Sequence, residues 1–381
     1  MQEKVLDSVI DPEKQEKAKE LAKISRIINI GSMVLSFVYF FFAIGSGWSV
    51  NLRNYTESVT GSWFLQISLY CIIFFGLVSV VTFPISYYEE YYLQKKYGLL
   101  KQRLGGWLID EIKKTALSTL IGIPMIALVY QALRWQGDNW WILVSAGYFV
   151  LSLLAMVIVP VVIMPMFAKY TPIEDKELLD TLSELARKSN TEIKGIFRWG
   201  LAEKTSQANA ALTGFGKTRR IIISDTMLDN YSSEEIETVL AHEMGHHINK
   251  DILRMLSIGT VITTISLYCS HLILKQASVL WGLKGLTDFA NLPLLLIVLS
   301  AISLLVMPLI NGYSRHREKH ADLYSFKMTG KPMILASALQ KLANQNLSDV
   351  SPPPLVEFIF HSHPSVTKRV RFAEDYMAGN N

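Results

Sequence analysis

Six apolar runs, at 24–44, 63–87, 116–133, 140–167, 252–274 and 292–310, punctuate the chain. A helix needs about 20 apolar residues to cross the hydrocarbon of a bilayer while satisfying its own backbone, so each run predicts a transmembrane helix. The fourth holds Pro160 and Pro165, which predict a kink near its end, and a seventh span if the run divides there. Trp63, Trp140, Trp141 and Trp281 fall near predicted span ends, where amphipathic rings prefer the headgroup level.

The polar stretches carry other periods. Residues 11–23, DPEKQEKAKELAK, predict a charged helix ahead of the first span. In the stretch 168–251, residues 173–190 have apolar positions at helical spacing, 193–199 read as a strand, and 208–225 read as two strands around a Gly-rich turn. That mixture predicts a small α/β unit. Beyond residue 310 the chain turns polar again, with helical patterns at 314–329 and 332–344, and three consecutive prolines, Pro352 to Pro354, break regular structure before 355–370.

Charge sets the sidedness. The segment KKYGLLKQR at 95–103, with Lys113 and Lys114, is strongly basic, as is the N-terminal arm, whereas 46–62, 134–139 and 275–291 hold few basic residues. Basic connections stay on the cytoplasmic side. Six spans then put both termini and the 168–251 region in the cytoplasm. Half of the 381 residues are hydrophobic and only 18% charged, against about 25% in soluble domains, which makes the lipid bilayer the chain's surroundings. A net charge of +4 without a clustered basic face gives no reason to expect nucleic acid. The two cysteines, Cys71 and Cys269, lie far apart in apolar runs and predict neither a disulfide framework nor a thiolate metal site.

The chemistry concentrates in 239–251, VLAHEMGHHINKD, where one frame, His242-Glu243-xx-His246, fits HExxH. On a helix the two histidines share a face and can grip one metal ion, with Glu243 placed to take a proton from water. Ser232 and Glu235 have capping-box spacing, and Ile236, Val239, Leu240 and Met244 supply one buried face. Charge set inside an apolar stretch beside a span is costly unless a cation is bound. His247 points off the ligand face, toward a supporting or solvated role. A structural metal site in a transporter or receptor is disfavoured, because such a site takes four protein ligands and leaves Glu243 without a duty. A third ligand is expected where the last span returns the chain to the same side, in 311–326. There Glu318 and Asp322 share a helical face, and His316 and His320 are rivals that spacing does not exclude.

The chain resembles the M48 family of integral-membrane zinc metallopeptidases, and within it the Ste24-type CAAX prenyl proteases. HEMGH at 242–246, SRHREKHAD at 314–322 and HSHPSVTKR at 361–369 match that family's catalytic motifs in order. TFPISYYEEYYLQKKYGLLKQ at 82–102, IMPMFAKYTPIED at 163–175 and NAALTGFGKTRRIIISDTML at 209–228 are similar to segments of the CAAX-type subgroup. The resemblance implies one zinc ion per chain held by His242, His246 and Glu318, with Glu243 as general base and Asp322 orienting a ligand histidine. It implies that His363 stabilises the oxyanion with Arg369 supporting that pocket, and that Asn209 and Ala210 lie on an edge strand that captures an extended peptide. The fold implied is a multi-pass α-helical membrane protein of six, at most seven, spans with a cytoplasmic α/β zincin-like catalytic domain. Residues 1–167 would form the N-terminal transmembrane region of about four helices. Residues 168–381 would form the metallopeptidase domain, including a transmembrane hairpin at about 252–310. The chain departs from the subgroup in having six spans where seven are typical and GLLKQ at 98–102 where G-F-N-K-Q is usual. The activity implied is endopeptidase cleavage at the cytoplasmic membrane face of peptides or membrane proteins, of the prenylated CAAX class. The alternative is an HtpX-like quality-control protease.

Overall fold

The computed structural model describes residues 9–277 and 281–379. The first eight residues of the predicted N-terminal region, and 278–280 and the last two residues of the predicted catalytic region, lie outside the described residues. Among the described residues, five continuous helical segments are long and apolar enough to cross a membrane: Pro12–Gly45, Trp63–Lys96, Leu104–Met166, Asp251–Ala277 and Phe289–Thr329. The third has 63 residues, and a straight helix of that size would run roughly 95 Å, far beyond one bilayer. It is folded in two by the 3-10 turn Gly137–Asn139, where Gly137 takes φ 51°, and its halves pack on each other.

The membrane helices are therefore α1 (Pro12–Gly45), α3 (Trp63–Ser86), α4 (Leu104–Gln136), α5 (Trp140–Ile158), α8 (Asp251–Ala277) and α9 (Leu292–Thr329), with the short α2 (Trp48–Val59) between the first two. Each of the six predicted runs is a helix. The fourth does not divide into two spans: at Pro160 the ladder slips to a π turn, Val159–Ile163, and then to a 3-10 turn, Met164–Met166. Asp11 caps α1, accepting from the Glu13 and Lys14 amides.

Two further expectations change. The stretch 46–62 is not simply a loop, because α2 folds back there with Ser49, Leu52, Arg53 and Thr56 buried. Its Arg53 guanidinium pairs with Asp288, both buried, while Ser49 bridges Tyr70 and the Ala290 carbonyl. Trp140 begins α5, at a span end as expected, but faces inward: it is fully buried and donates from Nε1 to His271 Nδ1 at 3.3 Å.

Burial along the membrane helices is lopsided. Ala43, Tyr70, Phe74, Tyr130, Leu133, Trp140, Leu274 and Phe289 belong to one apolar cluster at the end that carries α2. At the opposite end none of residues 22–42, 75–86, 111–126, 146–158, 252–265 or 299–316 is buried. The bundle is closed at one end and open toward the other. Because only 6% to 28% of each apolar window is buried inside the protein, the outward faces require lipid. The chain is a multi-pass integral membrane protein.

The open end carries the rest of the chain. The sheet has the order β1-β2-β4-β3, with β1 Tyr170–Pro172, β2 Ile196–Trp199, β3 Ala210–Thr213 and β4 Arg220–Ser224. β2 runs parallel to β4, and β1 and β3 are antiparallel edges. β4 is central because Ile221, Ile222 and Ile223 form a continuous apolar run, each at most 1% exposed; burying each is worth about 1.5–3 kcal/mol. Around the sheet lie α6 (Lys176–Lys188), α7 (Ser233–Ile248), α10 (Pro332–Asn346), α11 (Pro354–Phe360) and α12 (Val366–Met377). The predicted helix at 314–329 is not separate from the sixth span. Both are one helix, α9, of 38 residues, about 57 Å long against an apolar core of about 30 Å, so its second half stands clear of the apolar layer beside α7.

The basic segments group at this end. Asp11 N and Gln15 bond to Asn344 and Ser348, and the amides of Lys101 and Gln102 donate to the Lys204 carbonyl. At the closed end, Lys275–Asp138 and Lys284–Glu57 ion pairs tie together the three connections poor in basic residues.

A metal-ligand cluster beneath an open strand edge

The helix α7 begins where its sequence dictates. Ser232 Oγ accepts from the Glu235 amide and the Glu235 carboxylate accepts from the Ser232 amide, closing a capping box. Ile236, Val239, Leu240 and Met244 are all buried, and this fixes the rotation that turns His242 and His246 toward α9. Gly245 lies at the helix crossing: a Cβ there would meet Ala321 Cα at 3.0 Å and its carbonyl oxygen at 3.1 Å. Only the missing side chain lets the backbones approach closely enough to bring Glu318, almost one turn before Ala321, up to the histidines.

His242 Nε2 and His246 Nε2 are 3.2 Å apart. Glu318 Oε1 is 3.2 Å from His246 Nε2, and Oε2 is 3.4 Å from His242 Nε2. The three groups offer ligand atoms that all lie within 4.8 Å of one another. Behind them, His242 Nδ1 meets Asp322 Oδ1 at 2.9 Å and His246 Nδ1 meets Asp251 Oδ2 at 2.9 Å. An ionised carboxylate only accepts, so each Nδ1 carries a proton and each Nε2 is left for a second proton or a metal ion. Two imidazole nitrogens and a carboxylate then converge on one point. Glu318 Oε2 is moreover buried with no aligned hydrogen bond, although His363 Nδ1 is 3.0 Å away. Such a convergence needs protons or a cation at its focus, and two imidazoles with one carboxylate are a donor set that zinc takes in catalytic sites. The residues fit a metal ion.

The carboxylates are themselves anchored. Asp322 accepts from Arg369 Nε at 2.9 Å and Nη2 at 2.5 Å, and Asp251 accepts from Arg317 Nε at 2.6 Å. Arg369, expected beside the oxyanion pocket, thus stands behind His242 with its guanidinium closed on Asp322, and its Nη1 is 3.8 Å from Glu318 Oε2. No spacing in the sequence singles out the Asp251–Arg317 pair. Asp251 reaches His246 because Lys250, at φ 55°, reverses the chain between α7 and α8, and no periodicity announces that turn.

These partners set the protonation of the histidines. Burial and the Arg369 charge push the His242 imidazolium down, but hydrogen bonds to Asp322 and Glu318 outweigh them and raise its pKa to about 9. His246 is also raised: burial opposes, and Glu318 and Asp251 prevail. His247 lies off the cluster, its pKa lowered by burial and by Arg219. The rivals His316 and His320 are exposed and face each other, Nε2 to Nε2 at 3.2 Å, outside the one group of three ligands found among the described residues.

The cluster opens into a cleft of about 570 Å³. Glu243, partly exposed, lines it together with His242, His363, Arg369, Asn209 and Ala210. Asn209 immediately precedes edge strand β3, and its carbonyl accepts from the Ser224 amide at 2.8 Å. Antiparallel alternation then points the Ala210 N–H and C=O away from β4, toward the cleft. Leu335, Leu339 and Leu342 of α10 form an apolar wall. Two imidazoles anchored by aspartates and a carboxylate beside them, with a loose glutamate nearby and an open strand edge above, define a metallopeptidase site on a membrane scaffold.

Comparison with known proteins agrees. Residues 172–377 match the model of peptidase family M48, and residues 2–169 match the model described as CAAX prenyl protease N-terminal, five membrane helices. Where that description counts five, the described residues here hold four long apolar helices and the short α2. The chain is 29% identical to an uncharacterized metalloprotease, YhfN, of Bacillus subtilis, over 98% of this chain and 89% of that one. It is 32% identical to CAAX prenyl protease 1 of Saccharomyces cerevisiae, over 80% of this chain and 72% of the relative. The crystal structure of S. mikatae Ste24p superposes with a TM-score of 0.84 at 26% identity, covering 97% of this chain and 91% of that one. The chain belongs to peptidase family M48 and is a membrane-embedded metalloprotease of the Ste24 type.

Proposed function

We propose that the chain is a one-zinc endopeptidase of the CAAX-processing kind, in which His242, His246 and Glu318 hold the ion. The observation that carries this reading is the convergence of three ligand groups, the two imidazoles tied behind to Asp322 and Asp251, directly below an open strand edge. A zinc ion supplies a Lewis acid that acidifies water and polarises the scissile carbonyl. The extended substrate pairs along Asn209 and Ala210, adding a strand to β3 through main-chain bonds that read little sequence. Glu243 takes the proton of the attacking water and delivers it to the leaving amine. His363 donates to the oxygen of the scissile carbonyl as charge develops there. Arg369 acts from behind, holding Asp322 and through it the orientation of His242.

Residues 1–167 serve as the N-terminal transmembrane region and 168–381 as the metallopeptidase domain, which includes the hairpin of α8 and the first part of α9. The basic end of the bundle, with both termini and the site, faces the cytoplasm. The site stands where the bundle is open, so an apolar substituent on the substrate can lie among the helices while its peptide lies on β3. The Saccharomyces cerevisiae relative bears the CAAX prenyl protease name, and this chain takes the same class of prenylated C-terminal peptide.

Cleavage of a farnesylated CAAX peptide and its unprenylated twin by the detergent-purified protein tests the assignment. The prenylated peptide is expected to be cut at least about tenfold more efficiently in kcat/KM, since burying a chain of that size is worth more than the 1.4 kcal/mol a factor of ten requires. Equal cleavage of both would make the chain a general membrane peptidase of the HtpX kind.

A further inference from the structure

The loop that carries His363 is held by α9, the helix that supplies Glu318. The short helix α11 ends at Phe360, three residues before His363. Apart from that of Glu357, which accepts from the His361 amide at 3.2 Å, its last carbonyls have no partners within the helix, as is general at helix ends. Arg315 Nη1 donates to the Glu357 carbonyl at 3.0 Å, to Phe358 at 3.3 Å and to His361 at 2.6 Å. Asn311 Nδ2, one turn earlier on α9, donates to the Ile359 carbonyl at 2.6 Å. The far side of the loop is closed by Glu357, 3% exposed, whose carboxylate accepts from the Ser365 amide at 3.3 Å and from Lys368 Nζ at 2.9 Å.

We propose that Arg315 and Asn311 are positioning residues that fix where His363 meets the scissile carbonyl. Charge-assisted bonds from a guanidinium to carbonyls at the negative end of a helix are among the stronger ones available at a partly exposed site. Arg315 stands three residues before Glu318 and Asn311 seven, which puts all three on one face of α9. The distance between the ligand carboxylate and the His363 ring is therefore set across two turns of a single rigid helix. His363 itself is mostly exposed, its side chain 64% accessible, and its described contact is with Glu318. Without the Arg315 and Asn311 bonds, little would hold its ring at the 3.0 Å observed from Oε2.

The inference rests on the oxyanion role proposed for His363, and a double-mutant cycle separates the two. Arg315→Gln is expected to lower kcat by about 10- to 100-fold, the cost of a displacement of around 1 Å, with KM within about twofold and zinc content unchanged. In a His363→Ala background the same change is expected to cost less than about twofold, since the group it positions is gone. Asn311→Ala, which removes a single bond and tests the brace if Arg315→Gln folds poorly, should show the same non-additivity at smaller size. The proposal is overturned if either substitution costs the same factor with and without His363, or if Arg315→Gln loses its zinc, which would show action through Glu318. It also falls if His363→Ala alone leaves kcat intact. In that event the peptidase reading stands or falls separately, on Glu243.

Discussion

Glu243→Gln is expected to lower kcat by about 10³-fold, within the 10² to 10⁴ that general acid–base catalysis supplies, while zinc stays bound. The two halves of this expectation come from one geometry. Glu243 lines the cleft and makes no hydrogen bond or ion pair with any described residue, and it is absent from the cluster formed by His242, His246 and Glu318. A glutamine fits its space, neither breaks a bond nor leaves a charge unpaired, and cannot accept a proton. Metal analysis beside steady-state kinetics checks both halves. Loss of zinc from the variant would make Glu243 a ligand, and full activity would place the base elsewhere.

The second large effect is on metal loading, and it depends on pH. In protein stripped of metal, Asp322 and Glu318 raise the His242 pKa to about 9, and His246 is raised as well. A raised pKa adds stability that is fully present below the unfolded value near 6.5 and is lost as pH rises through 9. Zinc must displace these protons. Apparent affinity is therefore expected to climb between pH 6.5 and about 9, by roughly tenfold per pH unit for each proton displaced. Competition with a zinc indicator at pH 6.5, 7.5 and 8.5 measures the slope. Asp322→Asn, which removes a carboxylate that holds the His242 proton, should flatten it. An affinity independent of pH over this range would mean that the histidines are not held protonated by their carboxylates.

The parts of the molecule legible in its sequence are those whose cause is local. The capping box at Ser232, the buried stripe from Ile236 to Met244 and the HExxH spacing all act within one helix, and α7 forms where they predict. The apolar runs become helices because nothing else satisfies their backbones in lipid. Strands β3 and β4 are legible from the Gly-rich turn between them, where Gly214 takes φ 88°. The features that escaped depend on contacts distant in sequence. The α2 helix is marked by a mixed apolar and polar stretch of 12 residues and becomes intelligible only once Arg53 has met Asp288, 235 residues away. The continuity of α9 was hidden because its apolar and charged halves look like different elements. The resemblance implies that Arg369 supports the oxyanion pocket, but its closure on Asp322 is a contact that no local spacing announces. The brace on His246 needs both the reversal at Lys250 and Arg317 from a helix 66 residues on.

Much of the site hangs on one face and its flanks of a single helix. From α9 come Glu318 in the ligand cluster, Asp322 behind His242, Arg317 behind Asp251, and Arg315 with Asn311 against the His363 loop. Ala321 supplies the floor on which Gly245 of α7 rests. This concentration explains why the last membrane span and the catalytic helix are continuous: an interruption between them would uncouple the membrane-embedded scaffold from the metal.

Zinc content per chain of the detergent-purified protein, measured by elemental mass spectrometry, tests the central claim most directly. The account predicts one zinc in the unaltered chain, one in a His316→Ala, His320→Ala double variant, and a loss of at least about tenfold in occupancy at limiting zinc for Glu318→Gln. Zinc retained by Glu318→Gln and lost from the double variant would contradict it, and would move the metal to the exposed histidine pair on the other side of α9.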